Sequence, residues 1–486
     1  MGGGSSDDRR RPKAALFLLA CGLAGVLPHG LDPLARLLPS LGLALLLGGY
    51  VARTAFLRPA AAPPGPQNPP DCPPSIAAES PALAPPEAAP LVDVVVAARD
   101  EEAVIGRLVE RVTRLAWPTE ALRLWVIDDG SEDRTPQRLA ALQADHPQLR
   151  VLRRSREAGG GKSGALNLVL DHLQGRWMLV LDADADLAPD LLQRLIPFAE
   201  AGGWAAVQLR KAEVNAEENW LTRSQAMEMA FDAFIQEGRQ ARGGLTELRG
   251  NGQLLRREAV QAVGGFNEAT ITDDLDLSMR LLLAAQPVGV MWNPPVAEEA
   301  VLTLPALWRQ RQRWAEGGLQ RFFDYGDQLL TDRLNGAQKL DLAAFFVLQY
   351  VLPVMATADL VGALFTGTPP GMWPFSLVAL ALSGFSIAAA CRRPSEGPPL
   401  PPASAGHLLV AMVYLMHWFV VIPWVSLKMA LLPKSLVWAK TVHGVRPGTQ
   451  PAGLASGGSA GVEAAQAPSA QDEVAAIEIA TESPGA

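Results

Sequence analysis

Trp177-Met178-Leu179-Val180-Leu181-Asp182-Ala183-Asp184-Ala185-Asp186 is an apolar run of five residues closed by three alternating aspartates. A short unbroken apolar run reads as a strand buried on both faces, as in a parallel sheet. Ligands of such sheets lie beyond the carboxyl ends of the strands, so Asp182 and Asp184 stand where a ligand would be held. An Asp-x-Asp pair there suits a hard divalent cation, Mg2+ or alternatively Mn2+, that keeps coordination positions for substrate phosphates. Taken alone, the three aspartates read equally as a polar loop with a helix-capping residue.

The pattern repeats upstream. Leu91 to Ala98, Leu122 to Ile127 and the short Arg150-Val151-Leu152 read as strands. Residues 101–116, Thr135 to Ala144 and Gly164 to Leu173 read as helices. Strands alternating with helices predict an α/β domain with a mainly parallel sheet. Asp128-Asp129-Gly130-Ser131 ends the second strand; its carboxylates can accept from a base N–H or a ribose hydroxyl, or make a simple Asx turn. Gly159-Gly160-Gly161-Lys162-Ser163-Gly164 precedes a helical stretch, and although its spacing is not that of a Walker loop, a lysine at a helix N-terminus suits an anion. A flexible loop is the plainer reading.

Downstream, Thr272-Asp273-Asp274 precedes the helical stretch Leu275 to Ala284. One carboxylate there can take a proton from a hydroxyl, and the same residues make a helix N-cap. Gln310-x-x-Arg313-Trp314 lies in a helical stretch with Trp308, Arg309 and Arg311. Arginine suits a diphosphate, and tryptophan suits an apolar acceptor or a bilayer interface. An amphipathic helix lying on the bilayer accounts for the same residues.

At 486 residues the chain exceeds one ordinary domain, and its net charge of -8 argues against general nucleic-acid binding. Cys21, Cys72 and Cys391 have neither disulfide-framework nor metal-ligand spacing. The six histidines form no local ligand set and read as structural. Residues 14–31 and 37–57 have the length of a span of about 17–25 residues and form a hairpin (14–57) broken at Pro28-His29. Arg9, Arg10, Arg11 and Lys13 make residues 1–13 a basic, cytoplasmic N-terminus. The second apolar run at once after the first argues against a cleaved signal peptide. Residues 58–90 are a Pro/Ala-rich linker, 91–340 the catalytic domain with its interfacial helix, 341–432 the C-terminal apolar segments, and 433–486 an interfacial segment with a disordered tail. Within 341–432 the runs are 341–366, interrupted by Pro353 and Asp359, then 372–391 and 407–432. Three spans would put the tail outside, whereas Lys434, Lys440 and Arg446 favour a cytoplasmic end. Either all three cross, or one is re-entrant or interfacial.

Read in order, these residues resemble the processive-type branch of glycosyltransferase family 2, over roughly residues 91–325 and into the bracketing apolar segments. The resemblance implies a nucleotide-sugar-binding α/β domain of the GT-A type. Val96-Ala97-Ala98-Arg99-Asp100-Glu101-Glu102 looks like the family's opening motif, which brings Arg99 and Glu101 into the donor site. Asp128 and Asp129 resemble its nucleoside-binding pair, and Lys162, Gly164 and Asn167 its phosphate-side segment. Asp182 and Asp184 match the Asp-x-Asp, with Asp184 the implied main metal ligand. Thr272-Asp273-Asp274 departs from the family's Thr-Glu-Asp only at Asp273, leaving Asp274 as the implied general base. Gln310, Arg313 and Trp314 match Gln-x-x-Arg-Trp.

The implied reaction is an inverting single displacement on a UDP-sugar. The run Arg311 to Tyr325 and the ending Trp438 to Val445 look most like members that glucosylate diacylglycerol. That implies UDP-glucose as donor, 1,2-diacylglycerol as acceptor, glycolipid synthesis, and a multi-pass enzyme of a cyanobacterial plasma or thylakoid membrane with a cytoplasmic catalytic domain. The competing expectations are a processive polysaccharide synthase, cellulose-like or poly-N-acetylglucosamine-like, which needs a membrane channel, and an inactive nucleotide-sugar-binding scaffold. The presence of Asp182, Asp184 and Asp274 argues against the scaffold. Sugar identity and oligomeric state have no signature in the sequence.

Overall fold

The structure is a computed structural model that describes residues 10–56 and 89–434. The linker lies outside these residues except for Ala89 and Pro90; so do the tail beyond Lys434, Cys72, and the run Trp438 to Val445. The catalytic domain is built on one eight-stranded sheet. Its strands are β1 (Val92–Ala98), β2 (Leu122–Asp129), β3 (Leu149–Arg154), β4 (Trp177–Leu181), β5 (Asp186–Leu187), β6 (Ala206–Glu213), β7 (Gln253–Arg256) and β8 (Val288–Glu298), in the order β3-β2-β1-β4-β7-β6-β8-β5. β3, β2, β1 and β4 are mutually parallel. β7 runs antiparallel to both β4 and β6, β8 is parallel to β6, and β5 is antiparallel to β8.

β1 is central and wholly buried. Its side chains alternate between two cores, as a period-2 strand must. Val92, Val94 and Val96 pack with Ile105, Leu108 and Val112 of helix Ile105–Thr113 and with Leu192, Leu195 and Ile196 of helix Leu191–Ala201. Val95 and Ala97 pack with Leu166 and Val169 of helix Gly161–Leu170 and with Leu277 and Leu281 of helix Asp273–Leu283. The parallel strands therefore end on the side where their acidic residues gather.

Among the described residues, five apolar helical segments are long enough to cross a membrane: Arg10–Gly30, Pro33–Phe56, Gly336–Thr366, Trp373–Cys391 and Ala405–Leu431. Two details differ from the sequence reading. Arg10, Arg11 and Lys13 do not precede the first helix but form its first turn; Arg10 pairs with Glu316 at 2.8 Å. Nor does Asp359 interrupt the third segment: a π turn, Val347–Val351, precedes Pro353, and helix Leu352–Thr366 then runs through Asp359. The buried Asp359 carboxylate is satisfied by His29 at 3.0 Å and by the N–H groups of Gly371 (2.7 Å) and Met372 (3.0 Å). That bonding allows a carboxylate to stay inside an apolar helix.

Ion pairs seam these segments to the catalytic domain. Asp341 accepts from Tyr50 and pairs with Arg239 at 2.8 Å. The loop after Cys391 clasps the sheet: Arg194 holds Glu396 bidentately at 2.6 and 2.8 Å, Arg210 donates to the Glu396 carbonyl, and Trp292 Nε1 donates to that of Pro394.

Candidate active site

The end of β2 is stitched to the loop after β1. Arg99 Nε donates to the Asp129 carbonyl at 2.9 Å and its guanidinium lies 3.7 Å from the Asp129 carboxylate. Asp100 takes a left-handed φ of 55° and donates its N–H to Ser131 Oγ. The Glu101 N–H donates to Thr135 Oγ1 at 2.8 Å. Asp128 is 1% exposed, and its Oδ1 accepts from the Ser131 N–H at 2.9 Å. The aspartate does brace the turn, although its bond reaches three residues on rather than the two of an Asx turn. The buried Oδ2 has no hydrogen bond, only Arg153 Nε at 3.4 Å. Burial raises the Asp129 carboxyl above its ordinary value against the pull of Arg154, at 3.1 Å, and Arg99. Gly130 cannot be replaced, since a Cβ there would lie 2.5 Å from the Arg156 backbone.

Arg154 also organises the glycine loop, donating to the carbonyls of Gly159 (2.6 Å) and Gly161 (3.2 Å). The loop delivers Lys162 to Asp182, Nζ to Oδ1 at 2.5 Å. Burial works against the lysine's charge, but Asp182, Asp273 and Asp274 together raise its pKa. Arg313 faces the same carboxylate: burial lowers its pKa and Asp182 opposes that. Lys162, Asp182, Asp273, Asp274 and Arg313 thus form one electrostatic group, although the sequence spreads them over some 150 residues.

Asp273 and Asp274 open helix Asp273–Leu283. Thr272 occupies the cap position without making a capping bond; its Oγ1 is buried and unpartnered. The expected N-cap is therefore positional only. Asp274 is pushed up to about 6, by burial first and Asp273 second, against a backbone N–H from Leu275 and the charges of Lys162 and Arg249. A carboxyl so poised suits a general base near neutral pH.

Asp184 is 7% exposed and accepts weakly from the Glu299 N–H at 3.4 Å. Near it, Glu213 is raised well above its ordinary value by burial and by Glu298, with Asp184 adding to the effect. Lys211 answers this crowding with a 2.7 Å pair to Glu298. Among the described residues no three His, Cys, Asp or Glu side chains converge to hold a metal by themselves. The residues nevertheless fit a hard cation that takes one or two carboxylates here and its remaining ligands from phosphate and water. Such an ion would also relieve the local excess of negative charge.

Gln310 and Trp314 lie on the long helix Leu304–Leu329. Gln310 accepts from Arg311 at 3.3 Å, and the Arg311 guanidinium stands 4.0 Å from the centroid of the Trp314 ring.

Sequence reasoning missed the segment between β6 and the base. Asn251, wholly buried, accepts from the Asp182 N–H at 3.0 Å and donates to Glu298 at 3.0 Å. Gly250 (φ 90°) has Asp274 Oδ2 only 3.5 Å from where a Cβ would sit. Arg249 pairs with Asp232 (2.9 Å) and Glu247 (3.0 Å). Burial opposes the Glu247 charge, but Arg321, Arg249 and Arg239 prevail and hold its carboxyl at about 2. The available signal was Arg249-Gly250-Asn251-Gly252, an asparagine between two left-handed glycines, which marks a tight turn.

A parallel-sheet edge carrying an Asp-x-Asp, a lysine-bearing glycine loop and a poised carboxyl defines a GT-A nucleotide-sugar transferase, and the chain belongs to glycosyltransferase family 2: the family described as "Glycosyltransferase like family 2" matches residues 89–317. Among named relatives, the chain is 46% identical over 360 residues to the beta-monoglucosyldiacylglycerol synthase of Synechocystis sp., covering 73% of this chain and 75% of the relative. It is 43% identical over 358 residues to the enzyme of the same name from Nostoc sp., covering 73% and 76%. A mannosyltransferase from Pyrobaculum calidifontis, solved with GDP-Man and Mn2+, shares the fold with a TM-score of 0.55 at 18% identity, over 86% of this chain and 99% of that one.

Proposed function

We propose that the chain transfers glucose from UDP-glucose to the free hydroxyl of 1,2-diacylglycerol, giving a β-monoglucosyl lipid. The two relatives of that name, each matched over about three-quarters of its length, support the reading. The observation that carries it to the site is the closeness of the base to an apolar, bilayer-length helix. Gly317 and Gly318 of helix Leu304–Leu329 pack on Thr272 and on Tyr350: Cβ atoms there would lie 2.2 Å from Thr272 Oγ1 and 2.1 Å from the Tyr350 hydroxyl. Thr272 adjoins the base and Tyr350 belongs to the third apolar segment. A hydroxyl carried on a lipid reaches Asp274 without leaving the bilayer surface.

Above about pH 6 the Asp274 carboxylate accepts the proton of the acceptor hydroxyl. The oxygen attacks the anomeric carbon from the face opposite UDP, and the bond to the β-phosphate oxygen breaks, inverting the configuration. Asp128, Asp129, Arg99 and Glu101 hold the nucleoside. Lys162, Asp182, Gln310, Arg313 and Trp314 hold the diphosphate and sugar, where the cationic side chains stabilise charge on the leaving UDP. Mg2+, or Mn2+ in its place, would bind Asp184 and Asp182 and neutralise the diphosphate.

The fifth apolar run favours one membrane arrangement. Leu408 and Ala411 pack near Met227, Tyr414 and Trp418 bond Glu228, Trp424 bonds Gln312, and Lys428 pairs with Glu316. Contacts with catalytic-domain helices at its beginning, middle and end support an interfacial or re-entrant run. Four spans then leave Arg10 and Lys434 on the catalytic side, which the basic first turn of the first helix makes cytoplasmic.

Incubating the purified protein with radiolabelled UDP-glucose and diacylglycerol tests the reading. A chloroform-soluble monoglycoside is expected. Polymer at the chromatographic origin, with no chloroform-soluble product, would establish a processive polysaccharide synthase instead.

A further inference from the structure

We propose that Arg311, lying between the residues of the Gln-x-x-Arg-Trp signature, is a positioning residue whose place is set by the fifth apolar run through a buried clamp of Glu228, Tyr414 and Trp418. The inference rests on the reading above in one respect, that Gln310 and Trp314 face the donor.

Arg311 is 1% exposed and cannot itself reach a substrate from its buried place. A buried guanidinium is tolerated when its charge is answered and its hydrogen bonds are largely made; here both Nη atoms have partners and Nε has none. Glu228, on helix Trp220–Gln240, answers the charge through Oε2. The Tyr414 hydroxyl accepts from Arg311 at 2.8 Å and donates to the same Glu228 oxygen at 2.7 Å, closing a ring of three polar groups. The other oxygen, Oε1, accepts from Trp418 Nε1 at 3.0 Å. Two of the three groups fixing Arg311, directly or through Glu228, therefore come from Ala405–Leu431.

From this ring Arg311 holds two signature side chains at once. Its Nη1 donates to Gln310 Oε1 at 3.3 Å, and its plane stands 4.0 Å from the Trp314 ring centroid, within cation–π range. A displacement of Tyr414 or Trp418 moves Arg311, and with it both side chains. Lysine cannot replace it, because an ammonium has no planar fork to stack on Trp314 while bonding Gln310, Tyr414 and Glu228 together. The seating of the apolar run is thereby transmitted to the donor site by one side chain.

The test uses the full chain in bilayer nanodiscs, with R311K, Y414F, W418F and, as control, V420A, which shortens an exposed side chain of the same run outside the ring. Turnover is read as UDP release from UDP-glucose with and without diacylglycerol, so a failure of the lipid-acceptor reading is scored separately from the clamp. UDP affinity and the unfolding midpoint are measured in parallel. R311K should lose about 100-fold in kcat, the scale of a misplacement of about 1 Å, and Y414F and W418F about 3- to 10-fold each. UDP affinity should fall by no more than about tenfold in R311K, because Gln310 and Trp314 hold the donor, and by less in Y414F and W418F, while V420A should match the parent. The proposal is overturned if Y414F and W418F lower only the midpoint while kcat per folded molecule is unchanged, or if UDP affinity falls in step with kcat. Should R311K fail to fold, Y414F and W418F decide.

Discussion

Asparagine at position 274 is expected to abolish turnover and stabilise the fold at the same time. The Asp274 carboxyl stands at about 6 against an ordinary 3.8, because burial and the neighbouring Asp273 disfavour its charge. The difference of about 2 units corresponds to about 3 kcal/mol, at about 1.36 kcal/mol per unit. The folded chain binds this proton more tightly than the unfolded chain does. The stabilisation it brings is therefore fully present below pH 3.8 and is lost as pH rises through about 6. At pH 7.5 the ionised group is a net cost to folding. Asp273 is raised as well and shares the titration, so we assign about 1–3 kcal/mol to the pair's relief when position 274 becomes neutral. Unfolding midpoints of Asp274→Asn and parent, taken from pH 4 to 8 with chelator and without donor, should diverge at pH 7.5 in the variant's favour and converge near pH 4. Turnover should fall by about 10²–10⁴-fold, the scale of a lost general base, with UDP binding retained. The parent's kcat/KM should carry an acid limb near pH 6. Equal midpoints at both ends of the pH range, or turnover within tenfold of the parent, would refute the reasoning.

Asp184→Ala should abolish the metal-dependent part of UDP binding, so that chelator no longer changes the affinity; a chelator effect equal to the parent's would remove Asp184 as a ligand. Glu247→Gln leaves Arg239, Arg249 and Arg321 short of a buried carboxylate and should destabilise by about 3–5 kcal/mol in denaturant titration; a loss under 1 kcal/mol would show that water reaches the cluster. Gly317→Ala places a methyl against the Thr272 side chain and should cost about 1–3 kcal/mol by overpacking; adding Thr272→Ala should restore part of it, and no restoration would mean the clash lies elsewhere.

The parallel half of the sheet was legible because β1 and β4 are apolar runs, broken only by Asp93 in β1, whose ends carry the acidic motifs; β4 fell at Trp177–Leu181 as read. The stretch holding β6, β7 and β8 was not. β6 is Ala206-Val207-Gln208-Leu209-Arg210-Lys211-Ala212-Glu213, with Gln208 and Arg210 almost fully buried. The groups that permit this are distant in sequence: Arg210 donates to the carbonyls of Trp292 (3.1 Å) and Glu396 (2.9 Å). β8 contains Asn293-Pro294-Pro295, which reads as a turn in any local window. Periodicity finds a strand whose neighbours are apolar, and it fails where the strand's polar groups are satisfied by another part of the chain.

The candidate site divides along the same physical line. Each residue proposed to face a ligand carries a short local pattern, and Lys162, Asp182, Asp274 and Arg313 do converge. The residues that hold them do not advertise themselves. Asp232, Glu247 and Asp341 face Arg239, Arg249 and Arg321, three charges of each sign in ion pairs of 2.6–3.8 Å, yet each reads alone as a solvated surface charge. They become a core only when the catalytic domain, the signature helix and the third apolar segment close on one another, because Arg321 and Asp341 reach the cluster from those two elements. Arg249 is the member of this cluster that faces Asp274, and most of its own charge is spent on Asp232 and Glu247. Arg249 pulls that carboxyl down, and burial together with Asp273 outweighs it. The proton affinity of the proposed base is thus set partly by Lys162 and Arg249, which lie outside the Thr-Asp-Asp motif, and no reading of that motif alone could supply it.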